Sequence, residues 1–337
     1  MNILAIESSC DDTAAAIVKD GRKIVSCKTF SQIEKHKAYG GVVPEVASRN
    51  HIEAVVPITK SVLEESGFTW NDIDALAVTY APGLVGSLLV GVNFVKGLSL
   101  STGLPIIPVH HVKGHIASLY LSNPELKPPF LCLVVSGGHC SIFEVIDYTK
   151  VKTIGKTRDD AAGEAFDKIG RKLGFDYPGG IKLDKVANNG NDEAFKLPVP
   201  LKGENTFDFS FSGLKTSMMN IINSLNQKNS ELPIEDLSAS FRKAVVEYLV
   251  SNVMKASFQY KYTSIGVCGG VSANSLLRKR LEEECLKRNI KFFKPNINLC
   301  GDNAAMIGSQ AYYEFLNGKL PADLNLNAYA SMNVENK

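Results

Sequence analysis

The spacing of apolar and polar residues changes period several times along this chain, and the changes mark its elements. "NILAIES" (2–8) is a short apolar run, "SCDD" a polar turn, "TAAAIV" a second run, and "KIVSCKTF" a third after "DGR". Three short runs with tight polar connections predict a β-meander. Residues 130–156 repeat the scheme with "FLCLVVS", "GGH", "CSIFEVI" and "VKTIGK". The two stretches share almost no identities, yet the order and lengths of their parts match, which predicts an internal duplication.

Elsewhere the period lengthens. "PEVASRNHIEAVVPITKSVLEESG" (44–67) spaces its apolar residues for a helix that ends on a glycine. "IDALAVTY" reads as a buried strand, and "GSLLVGVNFVKGLSLSTG" as a helix whose glycines imply close packing on a sheet. "LPIIPV" is a further strand. The second half carries helical patterns near 159–174, 235–260, 272–289 and 302–317, with strands "TSIGVCG" and "IKFFK" among them. Helices beside strands in both halves predict an α/β fold of two similar lobes with a cleft.

Composition adds limits. At 337 residues and 45% hydrophobic content, the chain can bury a large core. A net charge of +2 leaves any phosphate-binding face to local patches such as "RKLGFDYPGGIKLDK". Arg278, Lys279 and Arg280 each precede a Glu by four positions, the pattern of a solvated helix. Seven cysteines, scattered and without a C-x-x-C pair, read as free thiols of a reducing compartment. "MNILAIESSCDDT" lacks the features of a signal peptide, and no apolar run reaches the roughly 18 uncharged residues of a membrane span. A cytoplasmic protein without a membrane partner is expected.

Three of the six histidines fall in "VHHVKGHIASLYL" (109–121). In a helix starting near 110, His111 and His115 share a face, about 40° apart around the axis. They suit one metal ion, while His110 points elsewhere in a packing or supporting role. A zinc peptidase would need a glutamate general base after the first histidine, and that position is Val112. A distant carboxylate would complete a two-histidine, one-carboxylate site. Asp302 in "CGDNAAMIG" reads either as a helix N-cap or as that carboxylate.

Two glycine turns follow strands, "VVSGGH" (134–139) and "CGGVSANSLL" (268–277). Converging backbone N–H groups and a helix N-terminus make such turns candidate anion cradles. With the acidic first turn "ESSCDDT", they match the arrangement of the actin, Hsp70 and sugar-kinase superfamily. "DDAAGEAFDKIGRKLGFDYPGG" (159–180) adds acids and glycines, and its Asp167, or Asp184 just beyond it, could accept from ribose or amino-acid hydroxyls.

The ordered set "IESSCDDT", "GGVVPEVASRNHIE", "PGLVGSLLVG", "HHVKGH", "VVSGGH", "DDAAGEAFDKIGRKLG", "FSFSGLKT", "GGVSAN" and "DNAAMIG" resembles the tRNA N6-adenosine threonylcarbamoyltransferases. These are the TsaD proteins, also known as Gcp or glycoprotease-like, and the resemblance runs from about residue 3 to about 330. It implies an actin-like (ASKHA) duplicated fold, with an N-terminal lobe of residues 1–125 completed by 303–330 and a C-terminal lobe of 126–302. The implied reaction moves a threonylcarbamoyl group from threonylcarbamoyl-AMP to tRNA. The implied metal, Fe2+ first and Zn2+ second, is held by His111, His115 and Asp302. Val134, Val135, Ser136, Gly137 and Gly138 would cradle the substrate. Asp167, Gly180, Asp184 and Asn274 would hold its adenosine and threonyl parts, and Asp11 would aid proton removal. In a bacterium the implied partners are a TsaB-like paralogue and a TsaE-like ATPase. The chain departs from the usual family pattern at Tyr80–Ala81, Lys113, Cys140 and Gly301. Competing readings are a kinase or ATPase of the same superfold, a metallopeptidase, and a non-catalytic scaffold.

Overall fold

The computed structural model describes residues 1–228 and 231–335. The chain forms two compact units: one of Met1–Pro129, Val145–Val151 and everything from Pro295 onward, the other of Phe130–Glu144 and Lys152–Lys294.

In the first unit β1 (Asn2–Glu7), β2 (Asp12–Lys19) and β3 (Lys23–Ser31) form the expected antiparallel meander, with Ile3 opposite Val18 and Ala5 opposite Ala16. β4 (Ala75–Ala81) pairs parallel to β1, and β5 (Ile106–His110) parallel to β4, giving the order β3-β2-β1-β4-β5. Side chains alternate across a strand, so the sheet has two buried faces. Leu4, Ile6, Ile17, Leu76 and Val78 pack with α2 (Pro44–Ser66) and α3 (Val85–Thr102) through Val55, Val62, Leu88 and Val92. On the opposite face the strands present small residues, Ala5, Ala14, Ala16 and Ala77, which receive Met306 and Ile307 of α10 (Ala304–Leu316). A short helix α1 (Ile33–Lys37) precedes α2, and α4 (His111–Ser122) follows β5 directly. Among the described residues α3 alone is long and apolar enough to cross a membrane. It carries Lys96 and sets Leu88, Val92 and Val95 into the core.

The second unit repeats the plan. β6 (Phe130–Val135), β7 (Cys140–Val145) and β8 (Val151–Lys156) are followed by β9 (Ser264–Cys268) and β10 (Lys291–Phe293), in the order β8-β7-β6-β9-β10. β6 and β9 are parallel, as are β9 and β10, matching β1, β4 and β5. The two sheets therefore share one topology, the structural trace of the duplication. α5 (Ala162–Lys172), α6 (Gly179–Val186), α7 (Ser212–Gln227), α8 (Ile234–Tyr260) and α9 (Ser275–Lys287) surround the second sheet. Their core joins Leu131, Leu133, Ile265 and Val267 to Phe166, Phe241, Val245 and Leu249. Of the three cations expected to pair along α9, Arg280 meets Glu283 at 2.6 Å and Glu284 at 3.8 Å, whereas Arg278 donates to the Ser272 carbonyl at 2.6 Å.

Candidate metal centre and the glycine turns

β5 hands the chain to α4 without a loop, so His110 caps the helix and His111 begins it. The Val112 N–H donates to His110 Nδ1 at 3.2 Å. Between the histidines, a Cβ on Gly114 would lie 2.7 Å from Ile307 Cδ1. α10 thus packs closely on α4 at Gly114, where a side chain would push Ile307 aside. That approach brings in Asp302, which lies just ahead of α10. Asn303, not Asp302, caps α10, its Oδ1 accepting from the Met306 N–H at 2.9 Å. The N-cap reading of Asp302 is thereby replaced.

Asp302 Oδ1 stands 3.2 Å from His115 Nε2 and 3.5 Å from His111 Nε2. The imidazole centroids are 4.6 Å apart, with planes at 77°. Ligand atoms from all three residues lie within 4.8 Å of one another. Donors about 2.1 Å from a shared ion, at tetrahedral or octahedral angles, sit roughly 3.0–3.4 Å apart. His115 is wholly buried, and neither ring nitrogen has a hydrogen-bond partner among the described residues. An unsatisfied buried imidazole is costly, and an ion against Nε2 removes that cost. Two nitrogens and one carboxylate oxygen suit Fe2+ or Zn2+.

Glu7, at the end of β1, completes the cluster and was not singled out by the sequence pattern. Its side chain is wholly buried, accepting from the Ser9 N–H at 2.6 Å and Thr79 Oγ1 at 2.5 Å. His111 Nδ1 lies 3.2 Å from Glu7 Oε2 and 3.2 Å from Ser9 Oγ. Donation from Nδ1–H to Glu7 leaves the Nε2 lone pair turned toward Asp302, the tautomer a metal ligand needs. Burial pushes the Glu7 carboxyl up, but the neighbouring His111 overcomes it and holds the group below its usual range. Burial likewise opposes a charged His111, yet the carboxylates of Asp302 and Glu7 prevail and lift it from 6.5 to about 9.

The turn after β1 is pinned by α2. His51 Nε2 donates to the Cys10 carbonyl at 2.9 Å, while its Nδ1 accepts from Thr13 Oγ1 at 2.7 Å. Within this turn burial and then the Asp302 charge raise the Asp11 carboxyl, and burial above all pushes Asp12 up to about 7.

In the second unit both glycine turns leave adjacent parallel strands, with Val134 opposite Cys268. Val134 and Val135 are wholly buried in β6, whereas Gly137 and Gly138 are open to solvent. The Ser136 N–H donates to the His139 carbonyl at 2.8 Å, and the His139 N–H to Ser136 Oγ at 3.1 Å. A Cβ on Gly163 would lie 2.6 Å from the Ser136 carbonyl, so α5 rests directly on this turn. Asp167 Oδ1 accepts from the Gly180 N–H at 2.8 Å. Asp184 accepts from Arg242 Nη1 at 2.9 Å and from the N–H and Oγ of Ser275, both at 3.0 Å. Asn274 Oδ1 caps α9 through the Leu277 N–H at 3.0 Å. Asp167, Gly180, Asp184 and Asn274 thus brace α5, α6, α8 and α9 against one another.

The departures from the family pattern fit their surroundings. Lys113 Nζ lies 3.6 Å from Glu314 of α10, in a mostly buried ion pair. Cys140 is buried and its thiol is pushed up by that burial. A Cβ on Gly301 would meet nothing within 4 Å, so threonine is sterically admissible there.

A duplicated α/β fold with glycine turns on paired parallel strands, joined in one chain to a two-histidine, one-aspartate cluster, defines an actin-like protein with a candidate metal site. Solved structures share the fold. Full-length HypF in its phosphate- and nucleotide-bound form superposes with a TM-score of 0.62 at 14% identity, covering 94% of this chain and 46% of that one. Component A of the (R)-2-hydroxyglutaryl-CoA dehydratase of Acidaminococcus fermentans gives 0.54 at 14% identity, covering 93% and 98%. The sequence matches the family TsaD, tRNA N6-adenosine threonylcarbamoyltransferase, over residues 23–309. Enzymes of that name from Clostridium botulinum (strain 657 / Type Ba4) and Clostridium perfringens (strain ATCC 13124) are 50% and 52% identical. The first alignment covers 99% of this chain and 98% of the relative, the second 98% of each. The chain belongs to this family and is a tRNA-modifying transferase.

Proposed function

We propose that the chain moves the threonylcarbamoyl group of threonylcarbamoyl-AMP to N6 of the adenosine just 3′ of the anticodon, in tRNAs reading codons that begin with A. The N6 amine attacks the carbonyl carbon, a C–N bond forms, the C–O bond to phosphate breaks, and AMP leaves with its electron pair. The observation that carries this reading is the convergence of His111, His115 and Asp302, backed by buried Glu7.

Those three residues would hold one divalent ion, Fe2+ or Zn2+. When bound, such an ion supplies Lewis-acid polarisation of a phosphate or carbonyl oxygen. Glu7 fixes the His111 tautomer and ring angle. The exposed amides of Gly137 and Gly138, in the turn that follows Val134, Val135 and Ser136, would receive phosphate or carbonyl oxygens. Asp167, Gly180, Asp184 and Asn274 would shape the contacts to the adenosine and threonyl groups. Asp11 would take the proton of the attacking amine, and its raised pKa makes it a stronger base than an ordinary aspartate. TsaB-like and TsaE-like partners belong to this reading if the source is bacterial, as do a cytoplasmic location and no membrane.

Metal uptake should depend on pH, because His111 must lose its proton before Nε2 can bind. With that proton leaving near pH 9, apparent affinity should rise about tenfold per pH unit from 7 towards 9 and then level off. Calorimetry in buffers of different ionisation enthalpy should record close to one proton released per ion at pH 7.5. Affinity independent of pH across this range would show that no proton on His111 competes with the ion.

The proposal is tested with purified protein, threonylcarbamoyl-AMP and unmodified tRNA, with and without a chelator. Modified adenosine that disappears with the metal supports it, and ATP turnover without modified tRNA supports the kinase reading instead. Asp302→Ala should lose metal while keeping most of its stability. Asp184→Ala should keep metal yet unfold at lower urea, having lost the α9 brace and the ion pair with Arg242. Equal metal loss from both would count against the ligand assignment.

A further inference from the structure

The cations of "RKLGFDYPGGIKLDK" (171–185) take no part in the metal centre or the glycine turns. The stretch spans the end of α5 and most of α6. These helices meet backbone to backbone, since a Cβ on Gly170 would lie 2.8 Å from Gly179 Cα. The negative end of α5 and the positive end of α6 therefore oppose each other at this corner, and side chains decide its field.

Those side chains are unequal in sign. Arg171, Lys172, Lys182 and Lys185 are exposed, whereas both aspartates of the stretch are already engaged. Asp184 turns inward, accepting from Arg242 Nη1 at 2.9 Å and from the Ser275 N–H at 3.0 Å. Asp176 pairs with Lys182 at 2.7 Å. Further back on α5, Glu164 is met by Lys168 at 2.7 Å. Lys172 and Lys185 have no carboxylate partner among the described residues. Exposed lysines are common and by themselves mean little. These two flank the contact of α5 with α6 at which the Gly180 N–H donates to Asp167, the pair proposed to shape the substrate's adenosine and threonyl contacts.

We infer that this corner of the second unit, through Lys172 and Lys185, docks phosphates of the tRNA backbone. The inference rests on the proposed transfer to tRNA and adds where the polyanion lies against these helices. An ammonium on a long stem acts as a point charge and needs no fixed angle, which suits a phosphodiester chain. Such contacts position the RNA without reading its bases.

The test measures binding of unmodified tRNA against salt concentration for four proteins. These are wild type, Lys172→Ala/Lys185→Ala, Lys172→Arg/Lys185→Arg, and the control Lys196→Ala/Lys202→Ala. The control lysines are exposed in the same unit but line a different cavity, beside α8. Each lost phosphate contact lowers the slope of log affinity against log salt by about 1. The first alanine pair should therefore lower it by about 2 and bind tRNA at least about tenfold more weakly near ~0.1 M salt. The loss should be equal for tRNAs that do and do not read codons beginning with A. The arginine pair should bind as wild type does. KM for tRNA should rise in the alanine pair, with kcat, the KM for threonylcarbamoyl-AMP and the urea midpoint unchanged. An unchanged slope would overturn the inference and leave this face to an acidic protein. Equal losses in the control pair would overturn it too, by reducing the effect to net charge. A wild type that binds tRNA but modifies none would sink the transfer reading instead, and the slopes alone would still decide the docking face.

Discussion

His115→Ala should fold, hold no metal, and transfer the threonylcarbamoyl group at least about a hundredfold more slowly than the parent. His115 is wholly buried, and its ring nitrogens have no hydrogen-bond partner among the described residues. Removing it opens a cavity but also removes two unsatisfied polar atoms, and these effects oppose each other. The metal-free variant should therefore stay within about 1–2 kcal/mol of the metal-free parent. His111→Ala should behave differently. It strips the buried Glu7 carboxylate of its cationic neighbour, and breaking a buried pair from one side costs about 3–5 kcal/mol. Metal content by mass spectrometry, single-turnover transfer and urea denaturation measure the three quantities. Retained metal in His115→Ala, or equal stability losses in the two variants, would sink the assignment of one histidine as pure ligand and the other as ligand and buried cation.

The second large effect concerns folding. Arg22→Ala should lose about 3–5 kcal/mol, judged from several charge-assisted hydrogen bonds and a cation–π cage. Arg22 sits in the β2–β3 turn and forks over the far end of α4. Its Nη1 donates to the carbonyls of Tyr120 at 3.2 Å and Asn123 at 3.1 Å, and its Nη2 to that of Leu126 at 3.0 Å. The guanidinium carbon lies 5.2 Å from the Tyr120 ring and 5.7 Å from that of Tyr313. Tyr313 in turn stacks on Tyr148 at 4.1 Å. Carbonyls at a helix C-terminus lack partners of their own, and a cation there also meets the negative end of the helix dipole. Arg22→Lys should recover only part of the loss, because an ammonium restores the charge but cannot fork across several carbonyls. Urea denaturation of the three proteins decides it. A lysine variant as stable as the parent would show that charge alone matters here.

Both meanders were legible because each alternates short apolar runs with tight polar turns, a local signal. The pairing of His111 with His115 was legible for the same reason, since helical geometry fixes residues four apart. Glu7 was not. At the end of an apolar strand an acid reads as the point where the chain surfaces, and only Thr79 on β4 and His111 on α4 show that it turns inward. Asp302 read equally as the α10 cap or as a free carboxylate until Asn303 took the Met306 N–H. Helix α7 went unread although Leu214, Met218 and Ile222 recur every four residues, because the polar, proline-containing stretch before it obscures where a helix would begin. Asp167 and Asp184 stood out as acceptors, but sequence could not reveal that Gly180, Ser275 and Arg242 reach them first.

The route by which α10 meets α4 bears on how the protein matures. A polypeptide emerging from the ribosome exposes both imidazoles long before the aspartate that faces them, which arrives with α10. Until that helix docks over Gly114, an incoming ion would find two imidazoles, an open flank and no carboxylate opposite them. On the proposed metal reading, tight loading would be a late step of folding, coupled to the docking of α10 rather than to folding of the meander.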